Sequence, residues 1–403
     1  MVNIAVLGYG TVGSGVVEVI RTNHESINKR AEEEINIKYV LDRRDFPGDP
    51  VEDVLVHDYE VIVNDPEVDI VVEVMGGIEP AYTFVKRALE AGKSVCTSNK
   101  ALVAKHGPEL VQMAKERSIN FLFEASCGGG IPIIRALNKS LTADEIDEIT
   151  GILNGTTNYM FDKMSKEGSD FGAVLKEAQE LGYAEADPTA DVEGHDAGRK
   201  IAILSSLAYG KFVNYEDVYM EGITKITQED MEYARTLGMN IKLLATSRKA
   251  GDSYYAMVAP FMVKKTSPLY GIDGVFNAVF VHGNMLGDAM FYGSGAGKLP
   301  TASAVVADVV DEAKHLHRNI MTNWTNQPLP LTPLDDVEGR FFVRVKDVAV
   351  DELEEAFGQV QTVETDALPE EMGVMTSVIT QGAYKAGAEK LGDRVISMIR
   401  IKD

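Results

Sequence analysis

The chain has 403 residues, 45% of them hydrophobic and 25% charged, which is enough for two or three globular domains. Its formal net charge of -23 argues against nucleic acid and anionic membranes as partners, because both would repel it. With Cys96 and Cys127 as its two cysteines, it has no disulfide framework and no CxxC metal site.

The start, Val2-Asn3-Ile4-Ala5-Val6-Leu7, reads as a buried strand, and Gly8-Tyr9-Gly10-Thr11-Val12-Gly13 follows at once. Val12, Val16, Val19 and Ile20 then fit one face of a helix. Between a strand and a helix these glycines mark a dinucleotide site. Gly8 serves the tight turn, Gly10 the approach of a pyrophosphate and Gly13 the close packing of helix on strand. There is neither a basic start nor a cleavage-site pattern, and no apolar run of membrane-spanning length, so a cytoplasmic protein is expected.

A second strand, Ile35 to Leu41, ends in Asp42-Arg43-Arg44. An acid there binds a ribose 2′-hydroxyl and an arginine a 2′-phosphate, so the residues leave NAD and NADP both open. Tyr59 to Val63 reads as a short strand and Asp69 to Met75 as a longer one. Gly76-Gly77 then lie at its carboxyl end, where open α/β sheets bind ligands. Pro80 suits the first turn of a helix to Ala91, and Lys93 to Thr97 is another strand. Ser98-Asn99-Lys100 opens a helix through Lys115, which turns Lys100 to the same crevice; its bland alternative is a surface lysine. Alternating strands and helices over residues 1–130 predict a doubly wound α/β domain. Cys127-Gly128-Gly129-Gly130-Ile131-Pro132 follows, with Pro132 starting a helix through Leu141. Glu124 and loop carbonyls offer oxygen ligands to a hard cation, but a hinge between domains is the plainer reading.

Glu145 to Leu153 is a strand ending in Asn154-Gly155-Thr156-Thr157-Asn158, with helices to about Glu167 and from Phe171 to Leu181. The stretch Gly182 to Lys200 then concentrates five carboxylates and two cations. Pro188 and the Thr-Ala-Asp after it predict a turn rather than a helix. Gly194 and His195 lead into a helix carrying Asp196 and Lys200 at i and i+4 on one face. If exposed, that pair is worth roughly 0.2–0.5 kcal/mol. At the mouth of a buried helix, as Ile201, Ile203, Leu204 and Leu207 favour, such a lysine can move a proton.

A helix from Gln228 to Leu237 precedes strands near Ile241–Ser247, Tyr254–Phe261, Val275–Val281 and Asp288–Tyr292. Their succession predicts an antiparallel meander open on one face, which self-pairing into a dimer would cover. Gly293 to Thr301 leads to a helix from Ala302 to about Leu316, expected to return to the nucleotide domain with the glycine loop over the cofactor. Pro328, Pro330 and Pro333 form a linker, and Arg340 to Asp403 reads β-α-β-β-α-β. The run after the tail's first strand, Val345 to Leu353, holds no glycine or proline, and its β-branched residues disfavour a positive φ.

Taken in order, Gly8 to Gly13, Ser98-Asn99-Lys100-Ala101, Glu124 to Pro132, Asn154 to Asn158, Gly182 to Lys200 and Gly295 to Thr301 closely resemble the homoserine dehydrogenases. The likeness covers roughly the first 320 residues. It is most specific at Gly182-Tyr183-Ala184-Glu185-Ala186-Asp187-Pro188 with Asp191-Val192-Glu193-Gly194-His195-Asp196 and Lys200. It implies reversible NAD(P)-linked interconversion of L-homoserine and L-aspartate 4-semialdehyde, towards threonine and methionine. The implied fold is α/β, with a Rossmann-type domain at residues 1–130 plus about 298–325. An α+β substrate-binding and dimerisation domain with a mainly antiparallel sheet would take 131–297, a linker 326–339, and a small ACT-like domain 340–403.

The same resemblance implies that Lys200 donates and accepts the proton at the substrate oxygen, with Lys100 between nicotinamide and substrate. Glu185 and Asp196 would bind the substrate and its ammonium group, together with Gly155, Thr156 and Asp191. Gly8, Gly10, Thr11, Val12, Gly13, Gly76, Ser98, Lys100, Gly182 and Gly297 would line the cofactor site. Arg43 would stand at the 2′-phosphate, favouring NADP with NAD also accepted. Glu124 and the backbone of Cys127, Gly129 and Ile131 would hold a monovalent cation such as sodium. Cys127 replaces a usual valine, which a carbonyl ligand tolerates. The tail is similar to ACT domains but lacks their Pro-Gly turn, so a structural or assembly role is expected, with threonine inhibiting weakly or not at all. Two rivals stand beside this reading, a regulatory dinucleotide-binding protein without turnover and another dehydrogenase of small amino-acid-derived substrates. The charged stretch argues against the first, a substrate panel separates the second, and neither cysteines nor histidines offer a zinc set.

Overall fold

The computed structural model describes residues 1–402. The chain opens with β1 (Val2–Leu7), α1 (Thr11–Thr22), α2 (His24–Ala31), β2 (Ile35–Leu41), β3 (Leu55–Val56), α3 (Tyr59–Val63) and β4 (Ile70–Glu73). Next come α4 (Ala81–Glu90), β5 (Ser94–Thr97), α5 (Lys100–Glu116), β6 (Phe121–Leu122) and α6 (Ile133–Arg135). Then follow β7 (Ile146–Ile152), α7 (Gly155–Glu167), α8 (Phe171–Glu180), α9 (Thr189–Val192), α10 (His195–Tyr209), β8 (Tyr219–Met220) and α11 (Gln228–Thr236). The long strands β9 (Met239–Ala250), β10 (Ser253–Lys264), β11 (Phe276–Gly283) and β12 (Gly287–Ser294) lead to α12 (Lys298–Lys314). The tail is β13 (Glu338–Val345), α13 (Val350–Phe357), β14 (Val360–Val363), β15 (Met372–Thr376), β16 (Ile379–Thr380), α14 (Gln381–Leu391) and β17 (Val395–Lys402).

These elements form two compact units, one of Met1–Glu145, Ala202–Tyr215 and Phe291–Leu329 and the other of Ile146–Ile201, Glu216–Met290 and the chain from Pro330. In the first, six parallel strands lie in the order β3-β2-β1-β4-β5-β6. The order reverses direction at β1 and β4, which opens a crevice at their carboxyl ends. The core joins Ile4, Val6, Val16, Ile20, Ile70 and Val72 to Ala302, Val305 and Val309 of α12. A Cβ at Gly15 would stand 2.8 Å from the Lys298 carbonyl, so α1 and α12 pack almost backbone to backbone. The helix after the glycine loop thus belongs to the nucleotide unit, and it starts at Lys298 rather than Ala302. Pro300 causes no break, because the first turn of a helix has no internal partner for its N–H groups.

Several local expectations are corrected. Tyr59–Val63 is helical, not a strand: Asp58 caps it by accepting from Glu60 N, and Tyr59, Ile62 and Val63 are buried at helical spacing. So short an apolar run does not distinguish the two periods. The helix after Pro132 has three α residues and continues as a π-helical turn, Ala136–Ser140. Thr189–Val192 makes one helical turn after Pro188, where a structured turn rather than a helix was expected.

The second unit is built on an eleven-stranded sheet in the order β12-β11-β7-β9-β10-β17-β13-β15-β14, with β8 on β10 and β16 on β13. The expected meander is interrupted. β9 and β10 form an antiparallel hairpin, but β7 lies between β9 and β11, and the far edge of β10 is taken by parallel β17. β10 is buried over most of its length and requires partners on both sides; β9 takes one edge, and β8 with the tail's β17 share the other. The tail keeps the expected β-α-β-β-α-β order with β16 added, and its strands continue the sheet. Its first turn also departs from expectation: Asp347 itself adopts φ +52. A short polar side chain tolerates that region as a β-branched one does not.

Candidate active site

In the first unit the nucleotide crevice is shaped by glycines. Gly8 has φ +99, and a Cβ at Gly13 would overlap the Gly8 carbonyl, so the first turn of α1 lies directly on the end of β1. Gly10 precedes α1 with open space where a side chain would project, leaving room for a pyrophosphate at the N–H groups of Thr11 and Val12. Gly76 and Gly77, at φ +81 and +73, carry the chain away from β4. Two residues missed by sequence reasoning fix that rim. Glu73 is fully buried and accepts from Thr97 Oγ1 at 2.6 Å and Met75 N at 2.8 Å, while burial pushes its carboxyl above the ordinary range. Asn99 caps α5 through Leu102 N and donates to the Gly77 carbonyl at 2.5 Å. An acid ending an apolar strand was the available signal for Glu73. Ser98 and Lys100 flank Asn99, Lys100 being the first residue of α5, and Gly297 with φ +116 precedes α12.

At the end of β2, Asp42 is already engaged. It accepts from Tyr9 N at 2.8 Å, Arg44 N at 3.0 Å and Arg44 Nε at 3.0 Å, and the Arg44 guanidinium drives its carboxyl far below the usual range. Arg43 is exposed and makes no ion pair among the described residues.

The Glu124 region is also tightly held. Ile134 N and Arg135 N donate to its two carboxylate oxygens at 2.9 and 2.7 Å, and Asp308 accepts from Glu124 N at 2.8 Å. Gly129, at φ +56, lies against the backbone of Gly295, where a Cβ would come within 2.6 Å of it. The Ile131 carbonyl accepts from Ile133 N at 2.9 Å. Among the described residues no group of three His, Cys, Asp or Glu could hold a metal, so a cation here would rest chiefly on main-chain oxygens.

The second unit assembles the charged cluster. Lys200 and Asp196 are 8% and 4% exposed, and Lys200 Nζ donates to Asp196 Oδ2 at 2.6 Å and to the Leu153 carbonyl at 2.7 Å. The pair is therefore buried, not an exposed helix bridge. Asn154, which sequence reasoning passed over within its polar turn, is the hub. Its Nδ2 donates to Asp191 at 2.7 Å and Asp196 at 3.1 Å, while its Oδ1 caps α7 by accepting from Thr157 N at 2.9 Å. Thr156 Oγ1 donates to the Tyr183 carbonyl at 2.5 Å, fixing the strand of chain that follows Gly182. Gly155 comes so near the Val275 carbonyl that a Cβ would stand 2.6 Å from it. Gly182 ends α8 at φ +76. Glu185 is exposed on the next segment, and its carboxylate has no hydrogen-bond partner among the described residues.

The helix start is placed by two glycines. Gly194, at φ +82, would set a Cβ 3.0 Å from Val258, and a Cβ at Gly198 would overlap Met220 Sδ. The first turn of α10 thus lies hard against β10 and β8, which presents Asp196 and Lys200 together.

Comparison with known proteins decides what this assembly is. A family model described as homoserine dehydrogenase matches residues 132–310, and one described as its NAD binding domain matches residues 8–124. A homoserine dehydrogenase of Synechocystis sp. is 41% identical over 436 aligned residues, covering 99% of each chain.

The chain belongs to the homoserine dehydrogenase family.

The crystal structure of a homoserine dehydrogenase from Thiobacillus denitrificans matches with a TM-score of 0.91 and 37% identity, over 100% of this chain and 98% of that one. A hyperthermophilic archaeal homoserine dehydrogenase in complex with NADPH matches with a TM-score of 0.64 and 29% identity, over 77% of this chain and 97% of that one. The enzyme is accordingly an NAD(P)-dependent oxidoreductase of L-homoserine and L-aspartate 4-semialdehyde, as the resemblance implied. No helix among the described residues is long and apolar enough to cross a membrane.

Proposed function

We propose that Lys200 moves the proton at the substrate oxygen in the interconversion of L-homoserine and L-aspartate 4-semialdehyde, with Asp196 orienting it. The observation that carries this reading is the buried Lys200–Asp196 pair at 2.6 Å beside the polar start of α7. The bound nicotinamide supplies or takes up the hydride; the remaining work falls to the protein. Nζ donates to Asp196 Oδ2 and to the Leu153 carbonyl, which fixes the amine in place, and as an ammonium it can protonate the alkoxide left when an aldehyde is reduced. For oxidation Lys200 must first lose a proton, then take the one released from the hydroxyl. Glu185 and Asp196, with Asp191 beside them, offer carboxylates to the substrate and its ammonium, and Gly155 and Thr156 offer the N-terminal end of α7 to its carboxylate. Lys100 is given the place between nicotinamide and substrate on the resemblance.

The cofactor would be held by Gly8, Gly10, Thr11, Val12, Gly13, Gly76, Ser98, Gly182 and Gly297, with NADP preferred. Engagement of Asp42 by Arg44 and Tyr9 N–H weakens it as a reader of a 2′-hydroxyl, and exposed Arg43 suits a 2′-phosphate. A monovalent cation at Glu124, Cys127, Gly129 and Ile131 is supported by the fixed loop backbone, Gly128 at φ +72 and Gly129 at φ +56. A homo-oligomer is supported by Phe276, Met285, Leu286 and Met290, exposed on the β11–β12 hairpin at one end of the sheet. A cytoplasmic setting is supported by two buried, unbridged cysteines. Lys200→Ala tests the central role: turnover falls by roughly 10²–10⁴ with cofactor affinity unchanged.

A further inference from the structure

We propose that Arg400, on the last strand of the tail, is a positioning residue for the Lys200 site, acting through β8; this rests on the proton-transfer role given to Lys200. Arg400 is 5% exposed. Its Nη1 donates to Glu221 Oε2 at 2.6 Å and its Nη2 to Gln381 Oε1 at 2.9 Å. The guanidinium also lies 5.2 Å from the centre of the Tyr219 ring, and Tyr219 OH donates to the same Glu221 oxygen at 3.0 Å. Arg400 therefore grips the residues on both sides of Met220.

That short segment is what the active-site helix leans on. Met220 Sδ fills the space a side chain at residue 198 would need, one turn into α10 between Asp196 and Lys200. Gly222 sits where a Cβ would overlap the Val192 carbonyl, and Ile223 N donates to that carbonyl at 2.8 Å, so the same run of chain abuts the end of α9. Asp191 and Asp196 thus stand on two helices that share one support. β8 has only two residues paired on β10, and Glu221 N adds one main-chain bond to the Val258 carbonyl at 2.8 Å, so side-chain anchors share in setting its position. Arg400 supplies a charged, planar one.

A purely structural ion pair would change the amount or stability of folded enzyme and leave the kinetics of the folded fraction alone. A positioning residue changes the kinetics. In folded, full-length Arg400→Met, kcat/KM for homoserine falls roughly 10- to 100-fold, in line with a displacement of about 1 Å. The KM for the cofactor stays at the wild-type value, and the pH profile of kcat shifts because the Asp196–Lys200 geometry has changed. Arg400→Lys recovers part of the loss, Glu221→Gln reproduces it, and the double variant Arg400→Met/Glu221→Gln is no worse than either. Wild-type kcat, KM and pH profile in Arg400→Met, even with a lowered Tm, overturn the proposal. Should Arg400→Met fail to fold, wild-type kinetics in Glu221→Gln overturn it equally. An inactive Lys200→Ala beside an unaffected Arg400→Met removes this inference alone, whereas an active Lys200→Ala removes the site reading beneath it too.

Discussion

Three consecutive residues, Asp42-Arg43-Arg44, divide the work of cofactor choice by what each already touches. Asp42 spends its carboxylate on Tyr9 N and Arg44, and Arg44 is correspondingly held, with Nη2 also donating to the Tyr9 carbonyl at 3.2 Å. Arg43 retains its guanidinium fork for a ligand. Arg43→Ala is expected to weaken NADP by roughly tenfold or more, the loss of one charge-assisted contact of about 1.5–3 kcal/mol, and to leave NAD nearly unchanged. Dissociation constants for both cofactors check this, and an equal loss for both would show that Arg43 does not meet the 2′ position. The candidates for this site were legible in the sequence, but their division of labour was not, because both arginines follow the same strand end. Asn154 and Glu73 escaped notice for a related reason. Each acts through hydrogen bonds to chain distant in sequence, Asn154 to Asp191 and Asp196 and Glu73 to Thr97.

Among the elements, α12 carries an unusual cost in the first unit. Glu312 is fully buried with neither carboxylate oxygen hydrogen-bonded, and burial, with Asp308 and Asp311 nearby, pushes its carboxyl well above the usual range. Its folded pKa is raised, so the protonated form is the one folding favours. Its contribution is full below the unfolded value near 4.3 and is lost as pH rises from there through the folded value. Glu312→Met removes the acid at similar length. Its Tm is expected to exceed that of wild type at pH 8 by a few degrees, with the gap closing as pH approaches 5. Thermal scans at both pH values decide it, and a gap independent of pH would contradict the account. β1, an apolar run broken only by Asn3, was legible from the sequence, as were β2, which opens on alternating Ile35-Asn36-Ile37, and α10, where Ile201, Ile203, Leu204 and Leu207 follow a charged first stretch. α3 was not, being five residues long with its type set by the Asp58 cap. The place of β7 between β9 and β11 was not either, since it depends on which strand edges are left to fill.

In the second unit the tail is bound into the sheet. β17 pairs with β10 from Phe261 to Val263, and three ion pairs cross from the tail: Arg344–Asp230 at 2.9 Å, Arg400–Glu221 at 2.6 Å and Lys402–Glu148 at 2.5 Å. Asp230 is fully buried, so losing Arg344 would strand a carboxylate, a change that typically costs about 3–5 kcal/mol. With the tail held in the sheet by these pairings, we expect millimolar threonine to leave the full-length enzyme nearly uninhibited. Steady-state rates with and without threonine check that, and strong inhibition would contradict it.

Chemical rescue of Lys200→Ala tests whether the buried Lys200 amine handles the proton. Homoserine oxidation is followed by reduced-nicotinamide absorbance across pH, with and without added methylamine, on enzyme whose cofactor affinity is measured in the same preparation. Turnover is expected to be lowered by roughly 10²–10⁴ and partly restored by methylamine, increasingly so as pH rises and more free base is present. Near wild-type turnover of Lys200→Ala at every pH would contradict that role.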